Sequence, residues 1–179
     1  DEIIISTDCS KIAEVGEACG VKVNNLRPAD LSNDYSSAAD VIGYHTVHYE
    51  DCYICYLQPT SPLRDVLDIT ESLKIMTESD YHAVISVSEF SIPTDWIYDG
   101  DKDFGDFMGG VTNKRSQDYA KRYALNGSIY WFKLSEFRRF GTHLIPTNSA
   151  PYVMPAERSI DIDEEIDFII AETVMKSNL

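Results

Sequence analysis

The chain has 179 residues, 44% of them hydrophobic and 11% aromatic, enough for one domain with a real core and short of what two usually need. A formal net charge of −15 argues against a nucleic-acid or anionic-membrane surface, since both need clustered Lys and Arg. No apolar run approaches the roughly eighteen residues of a membrane span, and no signal-peptide pattern is present, so the expected location is cytoplasmic.

In chain order, Ile3 to Ser6 reads as a strand. It follows Asp1 with no methionine before it, so upstream sequence is expected. Thr7 and Asp8 supply N-cap oxygens for a helix whose apolar face is Cys9, Ile12, Val15 and Cys19, and Gly20 is its stop. Val21 to Val23 reads as a short strand, followed by a polar segment from Asn24 to Asp34 broken at Pro28. Ser37 and Asp40 have capping-box spacing and open a helix to about Tyr49.

The organising stretch is Cys52-Tyr-Ile-Cys-Tyr-Leu-Gln-Pro-Thr-Ser-Pro-Leu-Arg64. Tyr53 to Leu57 is short, rich in β-formers and ends at proline, so it reads as a buried strand. Pro59 and Pro62 stiffen the polar turn that follows. Asp65 and Asp68 then open a helix to about Ser79, with Val66, Ile69, Leu73 and Met76 on one face. Ligands of α/β sheets bind at the loops leaving the carboxyl ends of strands, so the site is placed at this turn.

Ala83 to Val87 is the next strand. The alternation of strands and helices argues for a mainly parallel sheet with helices on both faces. From Glu89 to Ala124 the pattern breaks into an excursion in which Thr94 to Tyr98 reads as one strand of a hairpin. It serves either as a lid or dimer contact, or as a plain surface insertion. Gly127 to Phe132 returns to strand character, Leu134 to Phe140 is a short helix, and Tyr152 to Met154 is a last short strand. A helix from about Asp163 to Lys176 closes the chain, with Ile166, Ile169, Ile170 and Val174 on its buried side.

Four cysteines, Cys9, Cys19, Cys52 and Cys55, read as buried thiols in a reducing compartment. Cys52 and Cys55 match CxxC in letters, but residues three apart on a strand point to opposite faces, which excludes a shared metal or disulfide. His45 and His48, three apart on a helix, read as a solvated face before a metal pair.

Arg158-Ser-Ile-Asp-Ile-Asp163 is the second informative stretch. If extended, it puts Asp161 and Asp163 on one side, roughly 7 Å apart, a spacing that suits Mg²⁺ carrying phosphate oxygens. The alternative is that Asp163 caps the last helix, with Glu164 and Glu165 favouring its dipole. Arg27 before Pro28 suits a base carbonyl or a phosphate, or is a surface arginine. Arg115-Ser-Gln117 and Asn126-Gly-Ser-Ile-Tyr130 offer groups suited to a polyhydroxylated, carboxylated ligand, and fit turns equally well.

Ile5-Ser-Thr-Asp8, Leu26-Arg-Pro-Ala-Asp-Leu31, Leu57-Gln-Pro-Thr-Ser-Pro-Leu-Arg64, Arg115-Ser-Gln-Asp118, Asn126-Gly-Ser-Ile-Tyr130 and Ser159-Ile-Asp-Ile-Asp163 occur together, in this order. In this the chain resembles the acylneuraminate cytidylyltransferases over nearly its whole length. The resemblance implies a single domain with the three-layer α/β/α, Rossmann-like nucleotide-diphospho-sugar transferase fold, and a homodimer. It implies that CTP and a nine-carbon 2-keto sugar acid become a CMP-sugar and pyrophosphate with Mg²⁺. Carried over by position, Asp161 and Asp163 would hold the metal, while Arg27, with Ser36 and Ser37 beside it, would contact the nucleotide. Gln58, Asn126 and Tyr130 would meet the sugar, with Arg115 and Gln117 nearby, reaching in from a partner subunit.

Two departures qualify this. The family's first strand and its glycine- and lysine/arginine-bearing phosphate loop have no counterpart here and are expected upstream of Asp1, so the isolated chain is expected to bind triphosphate weakly and turn over poorly. Ser116 stands where many sialic-acid members carry a second arginine, which leaves pseudaminic or legionaminic acid open as substrate. The rival expectations are a non-catalytic homologue keeping the fold and dimer contacts, and a transferase for another keto-sugar acid.

Overall fold

The computed structural model describes residues 2–111, 114–141 and 146–177. The chain packs as two compact units, Asp1–Cys52 with Leu134–Leu144, and Tyr53–Lys133 with Ile145–Leu179.

In the first unit, helix α1 (Ser10–Ala18) follows Thr7, whose hydroxyl accepts from the Cys9 amide, and stops at Gly20 in the left-handed region at φ 87°. Its inward face is not the expected one. Ala13 and Gly16 are buried while Ile12 and Val15 are 54% and 64% exposed. Small residues face in because the Ile5 side chain lies against Gly16, so close that a Cβ there would stand 2.6 Å from Ile5 Cδ1. The expected strands at Ile3–Ser6 and Val21–Val23 do not form, since a strand exists only through a ladder and none pairs with these segments among the described residues. Helix α2 (Ala38–Thr46) carries the expected capping box between Ser37 and Asp40.

The second unit holds a four-stranded mixed sheet in the order β1-β3-β2-β4. Strand β1 (Tyr53–Leu57) has its expected bounds but is an edge strand, with Tyr53 44% exposed. Helix α3 (Val66–Glu78) follows, capped by Asp65 and Asp68. Of the expected face, Met76 is buried and Ile69 and Leu73 pack on the core, while Val66 is 74% exposed; Asp68 and Ser72 turn inward beside them. Strand β2 (Ala83–Phe90) is buried from Ala83 to Val87, as a central strand packed on both faces must be.

The excursion forms a 3-10 turn at Thr94–Trp96 instead of a hairpin strand, then helix α4 (Phe104–Gly110) and another 3-10 turn at Ser116–Asp118. Strand β3 (Arg122–Lys133) begins five residues before the expected one and runs antiparallel to both β1 and β2. Helix α5 (Leu134–Phe140) belongs to the first unit and has the expected bounds. Strand β4 (Ser149–Met154) pairs parallel with β2. Three strands thus share a direction and β3 alone opposes them. The core is Met76, Val84, Ile129, Trp131, Ala150 and Met154, with Ile69 and Leu73 of α3 packed against it. Helix α6 (Glu165–Ser177) buries Ala171, while Ile166, Ile169 and Ile170, expected inside, are 55%, 50% and 43% exposed.

Between Ile85 and Val87 the β2–β3 register shifts: Ile85 faces Tyr130, but Val87 faces Leu125. Ser86 alone therefore opposes Asn126, Gly127, Ser128 and Ile129, so β3 bulges outward there. The Ser86 hydroxyl holds the bulge shut by accepting from the Ile129 amide at 2.7 Å and donating to Asn126 Oδ1 at 2.5 Å.

Candidate functional site

The bulge, the turn after β1 and the acidic segment meet in the second unit. Gly127 takes φ 72°, a conformation that favours glycine. A Cβ on it would stand 2.6 Å from Gln58 Oε1 and 3.2 Å from Asp161 Oδ2, so both side chains lie against its bare backbone. Three residues on, Tyr130 is buried, with its ring 5.8 Å from that of Tyr56. Burial, then the Tyr56 and Asp161 charges, push the Tyr130 phenol above its usual range, so it stays a hydrogen-bonding phenol at neutral pH.

Several bonds fix this arrangement. Arg64 donates to the Ser128 carbonyl at 2.8 Å and to the Gln58 carbonyl at 2.6 Å, tying the Pro-rich turn to the bulge. The Ile162 amide donates to the Thr60 carbonyl at 2.9 Å, which draws the acidic segment to the same turn. Asn126, expected among the sugar contacts, has its amide committed inside. It donates to Ser159 Oγ at 2.9 Å and accepts from Ser86 and the Ser128 amide, so it joins β2, the bulge and the acidic segment.

Asp161 Oδ1 is buried and has no hydrogen-bond partner. A buried carboxylate oxygen without a donor is costly, and a divalent cation is one group that satisfies it. The donor set thus fits a hard, oxygen-seeking ion at Asp161. Asp163 is exposed; its backbone amide donates to Asp167 Oδ2 at 3.2 Å, as does that of Glu164 at 2.9 Å, so Asp167 caps the start of α6, a task the sequence offered to Asp163. Among the described residues no group of three or more His, Cys, Asp or Glu gathers as a metal site.

Arg115 and Gln117 are exposed, and Arg115 pairs with Asp118 at 3.2 Å. No hydrogen bond or ion pair among the described residues joins either to the Gln58–Asp161 group.

The first unit carries the residues expected at the nucleotide. The Arg27 guanidinium donates to Ser32 Oγ at 3.0 Å and stands 3.8 Å from Asp8, while its amide donates to the Thr7 carbonyl at 2.7 Å. Ser36 donates to the Asp30 carbonyl, and Ser37 is engaged as the α2 cap. His45 Nε2 lies 2.7 Å from Ser6 Oγ. Burial and then the Arg27 charge hold its pKa below the usual histidine range, which favours a neutral ring.

Sequence reasoning missed Ser86, Gly127 as a contact surface, and Arg64 as the tie between turn and bulge. A lone glycine inside a strand pattern was the available signal for the bulge.

Compared with known proteins, the chain is 32% identical over 180 residues to N-acylneuraminate cytidylyltransferase A of Danio rerio, covering 96% of this chain and 40% of that protein. It is 29% identical over 180 residues to N-acylneuraminate cytidylyltransferase of Escherichia coli, covering 98% of this chain and 42% of that one. It therefore spans about two fifths of the length of these two relatives. It is 30% identical over 191 residues to CMP-N,N'-diacetyllegionaminic acid synthase of Legionella pneumophila, with 99% of this chain and 79% of that one aligned. A solved CMP:2-keto-3-deoxy-manno-octonic acid synthetase complexed with CTP superposes at a TM-score of 0.65 and 15% identity, over the whole chain and 82% of that chain, a likeness of fold. No protein-family model matches.

Proposed function

As the chain belongs to the family of acylneuraminate and related nonulosonic acid cytidylyltransferases, we propose that it transfers CMP from CTP to a nine-carbon keto-sugar acid, releasing pyrophosphate. The observation that carries this reading is the meeting of Gln58 and Asp161 across the bare backbone of Gly127, with Asp161 Oδ1 buried and unpartnered.

In the reaction the anomeric hydroxyl attacks the α-phosphorus in line, the new P–O bond forms as the bond to pyrophosphate breaks, and the hydroxyl proton passes to solvent. No side-chain nucleophile is required; positioning and charge neutralisation suffice. Gln58 and Tyr130 offer an amide and a phenol to the sugar, and Asn126 acts by holding Ser159 at the start of the acidic segment. Arg27, with Ser36 and Ser37, addresses the nucleotide. Arg115 and Gln117, exposed on their 3-10 turn, address the sugar of a neighbouring subunit in a homodimer. Asp161 and Asp163 hold Mg²⁺, which when bound offsets the phosphate and sugar-carboxylate charges in a chain of net charge −15. The synthesis is placed in the cytoplasm, where CTP is at hand.

The test is product detection by mass spectrometry after incubating the purified protein with CTP, Mg²⁺ and a panel of sialic, legionaminic and pseudaminic acids. A CMP-sugar forms with at least one acid and is lost in Asp161→Asn. Unchanged product formation by Asp161→Asn would overturn the role given to the acidic couplet.

A further inference from the structure

Asp68 is the least expected buried group of the second unit. It lies on α3 with no exposed surface, and its carboxylate accepts from the Asp65 amide at 3.0 Å, Arg158 Nε at 2.8 Å, Arg158 Nη2 at 2.9 Å and the Tyr152 hydroxyl at 3.1 Å. Capping α3 uses only the first of these bonds. The other three reach to the end of β4 and the 3-10 turn Ala156–Arg158, directly before the acidic segment.

We propose that Asp68 and Arg158 are positioning residues that set the Asp161 carboxylate against Gly127 and Gln58; this rests on the role given to Asp161 above. The segment is anchored at three points: Arg158 on Asp68, Ser159 on Asn126, and Ile162 on Thr60. The last two are single hydrogen bonds, each of which permits rotation. Two parallel N–H···O bonds from a planar guanidinium fix distance and plane together. Stability alone does not call for this pair, since the Arg158 side chain is 28% exposed and apolar residues of similar volume often replace even a fully buried ion pair without loss. What apolar packing lacks is direction, and Asp161 sits only three residues beyond Arg158.

The experiment compares wild type with Arg158→Lys, which keeps the charge and loses the fork, and Tyr152→Phe, a milder change that removes one of the four bonds. Amide hydrogen exchange is followed at Ile162 and, as a reference, at Val84 and Ile129. Exchange at Ile162 is expected to quicken about tenfold in Arg158→Lys, and less in Tyr152→Phe, with the reference amides unchanged. In the product assay, kcat falls up to about 100-fold, as for an ångström of misplacement, while the KM for CTP holds. Unchanged Ile162 exchange, or exchange rising equally at the reference amides, would overturn the proposal and leave the pair a structural brace. The exchange readout needs neither metal nor turnover, so it decides the positioning claim even if Asp161→Asn overturns the proposed function. If Arg158→Lys does not fold, Tyr152→Phe decides by the same comparison.

Discussion

Gly127→Ala separates backbone strain from site geometry. An alanine in the left-handed region costs roughly 1–2 kcal/mol, partly offset by the reduced freedom of the unfolded chain, leaving about 1 kcal/mol. For a chain of this size that lowers Tm by about 2–4 °C. Gly20→Ala is the control, because Gly20 sits at φ 87° with nothing within 4 Å of a Cβ, so it bears the backbone cost alone. At Gly127 the new methyl would stand 2.6 Å from Gln58 Oε1, and the amide end of that flexible side chain must swing away. If Gln58 binds the sugar acid as proposed, losing that hydrogen bond costs about 1 kcal/mol, roughly fivefold in affinity. Thermal unfolding of both variants, the NMR shift of the Gln58 side-chain amide and calorimetric titration with the sugar acid read the three effects. If Gly127→Ala loses no more stability than Gly20→Ala and leaves both the Gln58 resonance and the affinity untouched, Gln58 does not lie against the Gly127 backbone.

Three further outcomes are expected. Burial and the Arg27 charge lower the His45 pKa, so the unfolded chain takes up its proton first; stability is full above the unfolded value near 6.5 and declines as pH falls below it. Thermal melts across that range should show this slope, and His45→Gln should flatten it. Burial pushes the Cys55 thiol up to about 12, outweighing Arg64, so iodoacetamide at neutral pH should label exposed Cys19 and spare Cys55, as peptide mapping would report. Ser72→Ala should cost about 1–3 kcal/mol in chemical denaturation, because Trp131 Nε1, which donates to Ser72 Oγ at 3.0 Å, would lose its buried acceptor. A cost below ~0.5 kcal/mol would mean that another acceptor takes over.

What was legible in the sequence was local. The bounds of β1 and α5 and the capping boxes of α2 and α3 follow from neighbours within a few residues, and local chemistry decides them. What was not legible depended on partners far along the chain. The pattern put Val66 inside with Ile69, Leu73 and Met76; the last three do face the core, but Val66 is exposed, and two polar residues are buried with them because Asp68 reaches Arg158, ninety residues away, and Ser72 reaches Trp131. Ile3–Ser6 has the composition of a strand, but pairing is a property of two segments. Helix α6 shows the same limit: amphipathic periodicity marks an apolar stripe without saying what covers it. At the site, the nearness of Gln58 and Asp161 agrees with the resemblance, which gives the first to the sugar and the second to the metal. The bulge that brings Gly127 between them depends on a register shift that no single strand reveals.

That offset also partitions β3. Beyond Ile129 the strand is locked into the core against β1 and β2; before Asn126 its rungs reach back toward the excursion. A residue gained or lost within the excursion can be absorbed as slack at the bulge without turning Tyr130 to the opposite face of the sheet. The excursion can therefore differ in length while Gln58, Gly127 and Asp161 keep their arrangement.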